Sequence, residues 1–306
     1  MKIDSIWQVS DQIKQALERR QPVLAFESTL ISHGLPYPQS IELALSLEQI
    51  AREHGCIPAT IGIIEGKICV GLTEGQLDQL AVTEDLDKAA AFDLPAVVGR
   101  GRSAGTTVSG TLAIAERIGI EVFATGGTGG VHRNISEYLD ISHDLLYLAR
   151  SKTICVSAGA KAILDLPKTL EYLETAGVCV LGYQTAVFPA FYYRDSGLKL
   201  NHQISGPAEV ARIYLARQQL RLDHGMLVVV PVPREQELSP AIINPVIEQA
   251  IKMAEKEGIT GKAVTPFLLD FLAGATAGQS ILTNLALLKN NARVGAGIAV
   301  ALTKEK

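Results

Sequence analysis

Cysteine, aromatic residues and net charge are all scarce in this chain. Its four cysteines, Cys56, Cys69, Cys155 and Cys179, stand far apart with no C-x-x-C pair, and two lie in apolar runs where cysteine acts as a small hydrophobe. They read as reduced, structural thiols of a cytoplasmic protein. Formal net charge is only −4, so no basic field exists to hold a polyanion and a nucleic-acid polymer is disfavoured as partner, although a local anion pocket is not. Met1 to Ser10 lacks an apolar signal core. No stretch approaches the roughly 20 uninterrupted apolar residues of a membrane span. None of the six histidines forms an i, i+4 ligand pair and no G-x-S-x-G elbow occurs. Gly66-Lys67 and Gly261-Lys262 are followed by Ile and Ala where a P-loop needs Ser or Thr.

What is present is apolar and glycine-rich. Hydrophobic residues make up 47 % and charged residues 20 % of 306 positions, which supplies a core and excludes intrinsic disorder. Aromatics fall to 5 % while glycines number 27, a balance that fits the tight strand ends of α/β proteins. Short apolar runs closed by Gly or Pro alternate with segments of helical period. The runs predict strands at Val23–Phe26, Ala59–Ile64, Ala96–Val98, Val122–Ala124, Ile154–Ser157, Val178–Gly182 and Leu227–Val230. Ile41, Ala44, Leu45 and Ile50 share one helical face before Gly55, and Val246, Ile247, Ala250, Ile251 and Ala254 do so before Gly258. The Pro-bearing stretch Pro231 to Pro245 is expected to set off a helical C-terminal subregion, 246–306. Within it Leu285 to Leu302 carries Lys289 and Arg293, which predicts a docked helix pair or a buried helix. No linker is long enough to demand separate domains, so residues 1–306 read as one domain.

Four segments carry groups able to do chemistry. The loop Ala124-Thr-Gly-Gly-Thr-Gly-Gly-Val-His-Arg133 follows an apolar run; its glycines let backbone amides converge on an anion, or simply let backbones pack closely. In Asp140-Ile-Ser-His-Asp144 two carboxylates share a face if the segment is helical. Asp140 then serves either as a ligand of a hard cation or as a helix N-cap, with Asp144 in the first turn. Cys155-Val-Ser-Ala-Gly-Ala-Lys-Ala-Ile-Leu-Asp165 sets Lys161 among small residues after a strand, beside an expected helix start. An amine there is a nucleophile with a depressed pKa, or a lysine snorkelling from a helix. Glu27 closes another apolar run in Ala25-Phe-Glu-Ser-Thr-Leu-Ile-Ser-His-Gly-Leu-Pro-Tyr-Pro38, where a carboxyl must be paired or kept partly protonated. Ser28, Thr29, Ser32 and His33 are the neighbours that would satisfy it structurally. Lys88 reads most simply as a surface charge, and Gly105-Thr-Thr-Val108 as a loop entering a helix at Leu112–Arg117.

Together, Phe26-Glu-Ser-Thr-Leu-Ile-Ser-His-Gly-Leu-Pro36, Gly105-Thr-Thr-Val108, Phe123-Ala-Thr-Gly-Gly-Thr-Gly-Gly-Val-His-Arg133, Asp140-Ile-Ser-x-Asp144 and Ser157-Ala-Gly-Ala-Lys-x-Ile-Leu-Asp165 resemble the pseudouridine-5′-phosphate glycosidase family, which includes indigoidine synthase A-like proteins. The likeness continues through Gly182-Tyr-Gln-Thr185, Thr265-Pro-Phe-Leu-Leu269, Thr283-Asn284 and Asn290-Asn-Ala292, and covers nearly the whole chain. It implies a three-layer α/β/α sandwich around a mixed, largely parallel sheet. It also implies a cytoplasmic homotrimer that reversibly splits pseudouridine 5′-phosphate into uracil and ribose 5-phosphate with Mn²⁺, Mg²⁺ or another divalent cation. Such an enzyme is a pseudouridylate synthase of the carbon–oxygen hydro-lyase class. By position, Lys161 matches the covalent nucleophile, Glu27 the proton donor and Asp140 the metal ligand. Lys88, Val108, Ser142, His143, Asp144 and Asn284 match substrate-binding positions, and the glycine-rich loop is expected to face substrate through Gly127, Thr128, Gly129 and His132. His143 stands where a small residue is the rule, and Gly101-Arg-Ser-Ala departs from the pattern before Gly105. Two rival readings are another Schiff-base enzyme acting on a sugar phosphate and a non-catalytic nucleotide-binding protein.

Overall fold

The structure, a computed structural model, describes residues 6–133, 140–259 and 264–306; the first five residues and the Gly261-Lys262 pair lie outside them. Its strands are β1 (Trp7–Val9), β2 (Val23–Phe26), β3 (Ile57–Ile64), β4 (Lys67–Val70), β5 (Asp87–Ala89), β6 (Ala104–Thr106), β7 (Val122–Ala124), β8 (Ile154–Ser157), β9 (Cys179–Tyr183), β10 (His202–Ile204) and β11 (Met226–Val229). The helices are α1 (Asp11–Glu18), α2 (Thr29–Ser32), α3 (Gln39–Glu53), α4 (Glu74–Val82), α5 (Leu94–Gly99), α6 (Val108–Ile118), α7 (His143–Leu148), α8 (Leu166–Thr175), α9 (Pro207–Gln219), α10 (Pro240–Lys256), α11 (Val264–Ala275) and α12 (Gln279–Glu305). The molecule is an α/β protein with helices on both faces of a mixed, mostly parallel sheet.

Along the sheet the order is β1-β4-β3-β2-β7-β8-β11-β9-β10, with β6 also on β3 and β5 on β6. From β3 to β10 every pair is parallel, whereas β3 meets β4 and β6 antiparallel. The central strands are buried along their whole length, as a sheet covered on both faces requires. After β2 the chain moves outward to β3, whereas after β7 it moves the other way to β8. The sheet therefore reverses direction between β2 and β7, and such a reversal leaves a crevice at the strands' carboxyl ends. Phe26 of β2 pairs with Ala124 of β7, which pairs with Val156 of β8, so the residues that follow, Glu27, Thr125 and Ser157, leave the sheet at one level.

Helix α12 lies across β2, β7 and β8 with α3 and α9 beside it, and α6 and α7 pack together on the other side. Gly295 of α12 lets the helix settle on Leu24 and Ala124. Among the described residues no single helix is long and apolar enough to cross a membrane.

Several expectations change. Ala96–Val98 lies in α5, where Pro95 follows Asp93 at the helix start; three apolar residues fit either period, and the flanking Asp-Leu-Pro decides. The helices of the C-terminal section begin before 246, since Pro240 opens α10 and Pro245 lies inside it. Leu285 to Leu302 belongs to one helix of 27 residues. The helix expected from Leu112 starts at Val108, with Thr107 as its cap.

Candidate active site

At the crevice between β2, β7 and β8 lies a cleft of about 630 Å³, counting its open mouth, walled by Glu27, Lys88, Lys161, Asn284, Gly127 and Phe191 among others. The sequence folds this way for local reasons. Glu27 ends β2, and Ser28 and Thr29, which start α2, turn away to bind the β6 segment: Ser28 Oγ accepts from Thr106 N at 3.0 Å and Thr29 Oγ1 donates to Thr106 O at 2.8 Å. The expectation that Ser28 and Thr29 satisfy the Glu27 carboxyl is thereby corrected. Its partner is the Thr125 hydroxyl, which donates to Oε1. Burial pushes the Glu27 carboxyl above its usual range, and Asp144 adds to the rise. Lys161 opposes it most strongly, followed by the Thr125 hydrogen bond and Lys88.

Lys161 is delivered by an extension of the β7–β8 pairing. Thr128 N donates to Gly159 O at 3.0 Å and Lys161 N to Thr128 O at 3.1 Å, so the two loops leave the sheet together. The following helix, α8, begins only at Leu166 with Asp165 as its cap. Lys161 thus stands in the turn before that helix and not at its start. Among the described residues no carboxylate lies within salt-bridge distance of its Nζ. Lys88, read from sequence as a surface charge, sits in β5 with its side chain on the cleft wall. Asn284 reaches the cleft from α12, with Oδ1 over Gly126. Gly127 has no room for a side chain because the Phe191 ring would lie 2.6 Å from a Cβ.

The remaining sequence candidates lie outside that lining. Val108 is buried at the start of α6. Helix α7 starts at His143 with Ser142 as its N-cap, so Asp140 neither caps it nor shares a helical face with Asp144. The Asp144 carboxylate is itself engaged: Oδ1 accepts from Ser109 N and Oδ2 from Gly129 N, both at 2.9 Å. It ties the first turn of α6 to the glycine-rich loop, and Ser142 packs where a Cβ on Gly129 would stand. Thr128 is fully buried, and its hydroxyl has no partner among the described residues. His143 makes an edge contact with Phe92, ring centres 5.0 Å apart, and faces Tyr147. Burial lowers its pKa and Arg150 lowers it further.

His132 Nδ1 lies 3.8 Å from Asp140 Oδ2. Burial lowers the His132 pKa, Asp140 opposes this, and Lys161 lowers it further. Asp140 is 45 % exposed, open enough for a cation to keep several waters, and a largely neutral imidazole beside it adds a second donor. Among the described residues no group of three or more His, Cys, Asp or Glu is placed to hold a metal ion, so Asp140 and His132 would leave most positions around a divalent cation to water or substrate.

Three residues escaped sequence reading. Thr125 belongs to a quoted motif, and its place at the strand end beside Glu27 was the available signal. Phe191 carries none: it stands in a long irregular segment with φ of +65°. Asn291, fully buried in α12, donates to Thr125 O at 2.8 Å, and its polarity on a core-facing helix position was the clue.

An α/β sheet with a carboxyl, a lysine amine and a glycine-rich loop at its direction-reversing edge defines a class of proteins built to hold a small polar ligand there. The model of the indigoidine synthase A like protein family matches residues 12–301, and the chain belongs to that family. It is 52 % identical over 296 residues to a pseudouridine-5′-phosphate glycosidase of Caldanaerobacter subterraneus subsp. tengcongensis, covering 97 % of this chain and 96 % of that one. It is 49 % identical over 295 residues to one of Staphylococcus aureus, covering 96 % of each. Among solved structures, the prealnumycin C-glycosynthase AlnA in complex with ribulose 5-phosphate superposes with a TM-score of 0.91 at 40 % identity, covering 99 % of this chain and 98 % of that one. An indigoidine synthase A-like protein of Thermotoga maritima gives 0.89 at 38 %, covering 97 % of each.

Proposed function

We propose that this chain reversibly cleaves the C–C glycosidic bond of pseudouridine 5′-phosphate, giving uracil and ribose 5-phosphate through a Schiff base on Lys161. The observation that carries the reading is the meeting of the Lys161 amine and the Glu27 carboxyl, raised in pKa by burial, in one cleft. The names of the relatives supply the substrate.

The residue types suit the reaction. Glycosidases acting on C–O bonds protonate a leaving oxygen between two carboxylates, but here the bond joins C1′ to C5 of uracil, and carbon leaves poorly. The Lys161 amine attacks C1′, the C1′–O4′ bond breaks and O4′ takes a proton. Glu27 then delivers a proton to C5, and the nitrogen lone pair forms the C1′=N bond as the C1′–C5 pair returns to the uracil ring. Water adds to the iminium, lysine departs, and ribose 5-phosphate is released. Lys88 and Asn284, on the same wall, would hold polar substrate groups. Asp140, with His132, would hold a divalent cation, which supplies charge to organise water and substrate oxygens. Borohydride added during incubation with ribose 5-phosphate should fix a sugar adduct on the peptide containing Lys161; no adduct, with full activity in Lys161→Ala, defeats the reading.

The C-glycosynthase neighbour favours one second reading, a C-glycoside enzyme of the same chemistry with a different aglycone. Release rates compared across uracil and other C-linked ribose 5-phosphates separate the two.

A further inference from the structure

The pairing between β7 and β8 breaks at the cleft. In a parallel ladder, the strand residue whose N–H donates to Val156 O should accept, through its own carbonyl, from the N–H of Ala158. Thr125 N does donate to Val156 O at 3.0 Å, yet Ala158 N donates to Gly126 O instead, at 2.9 Å. The Thr125 carbonyl is thereby turned out of the ladder. Regular pairing resumes at Thr128, through the bonds that place Lys161. Thr125, the residue at the break, carries the hydroxyl that donates to Glu27.

The displaced carbonyl is caught by Asn291. Its Nδ2 donates to Thr125 O at 2.8 Å and to Gly126 O at 3.3 Å. Both partners accept only, which fixes the amide orientation and leaves Oδ1 buried with no partner among the described residues. An apolar residue would avoid the orphaned oxygen but would take the donor away from the Thr125 carbonyl. We propose that Asn291 is a positioning residue for the proposed reaction: its amide holds the ladder break open so that Thr125 aims its hydroxyl at Glu27 and the resumed pairing presents Lys161. This rests on the reading of Glu27 and Lys161 as the reacting groups.

The test reads Glu27 directly as well as turnover. Besides Thr125, the charged groups facing Glu27 are Lys161 from the loop after β8, Lys88 from β5 and Asp144 from α7, with His33 on the cleft wall after α2. Each is unchanged in the variants. In protein labelled with ¹³C at the glutamate carboxyls, with the Glu27 signal assigned through Glu27→Gln, Thr125→Val should move the Glu27 titration midpoint upward. Asn291→Leu should move it the same way, and the double variant should add nothing further. Uracil release by Asn291→Leu should fall roughly tenfold in kcat with little change in KM. Asn291→Ser, which keeps one short donor, stands in if the leucine variant does not fold. A Glu27 midpoint unmoved by either Asn291 variant, or a shift that adds fully to that of Thr125→Val, overturns the proposal. If instead Glu27→Gln keeps wild-type turnover while the midpoint shifts as expected, the reaction assignment fails and the positioning of Glu27 by Asn291 stands.

Discussion

Glu27, just past the end of β2, stands where burial disfavours ionisation, and the cost is only partly offset by Lys161 and Thr125. Because its folded-state pKa lies above the unfolded value, its contribution to stability is full below the unfolded pKa and is lost as pH rises through the folded one. Glu27→Gln removes that loss. The melting temperature of the variant relative to the parent should therefore climb as pH rises above about 4, while uracil release falls by roughly 10²-fold or more. A constant difference across that range means that Glu27 titrates normally. Beneath the site, burial first and then Asp144 and Glu27 hold the Cys155 thiol far above its usual range, and burial pushes Cys56 up to about 12. Alkylating reagents at neutral pH should leave both unmodified in native protein, as mass spectrometry would show.

Among the elements, the glycine-rich loop depends on Asp144. Its carboxylate satisfies the Ser109 and Gly129 amides at once, joining α6, α7 and the loop. Asp144→Ala strands the buried Ser109 N–H and the part-buried Gly129 N–H and should cost about 3 kcal/mol in urea unfolding; a loss under about 1 kcal/mol means that water replaces the carboxylate. Gly129→Ala drives a methyl into Ser142 and Asp144 and should destabilise comparably, with a larger fall in activity. The central strands β2, β7 and β8 were legible as short apolar runs with the bounds they adopt, because strands covered on both faces leave little room for polar residues. Strands β1, β4, β5, β6 and β10 were not, being brief and more mixed. Glu27, Lys161 and the loop were legible because each stands where an apolar run ends. Asp140 and Asp144 misled, since a spacing of four implies a shared helical face and the helix begins between them. Phe191 and the ladder break at Thr125 depend on contacts distant in sequence that no local pattern encodes.

For the whole molecule, the convergence is the main fact. Glu27, Lys88, Lys161 and Asn284, spread over most of the chain, meet because β2, β7 and β8 are neighbours, α12 crosses all three, and β5 joins the sheet through β6 on β3. The scarcity of net charge accords with a ligand held by a few local groups, not by a field. The trimer implied by the family resemblance predicts a solution mass three times that of the chain by light scattering; a monomeric mass removes it. The central claim is tested most directly by incubating the protein with pseudouridine 5′-phosphate and following free uracil. The account predicts release in the presence of Mn²⁺, loss on chelation with recovery on adding the ion back, and no release by Lys161→Ala. Undiminished release by Lys161→Ala, or none by the parent protein under any divalent cation, would contradict it.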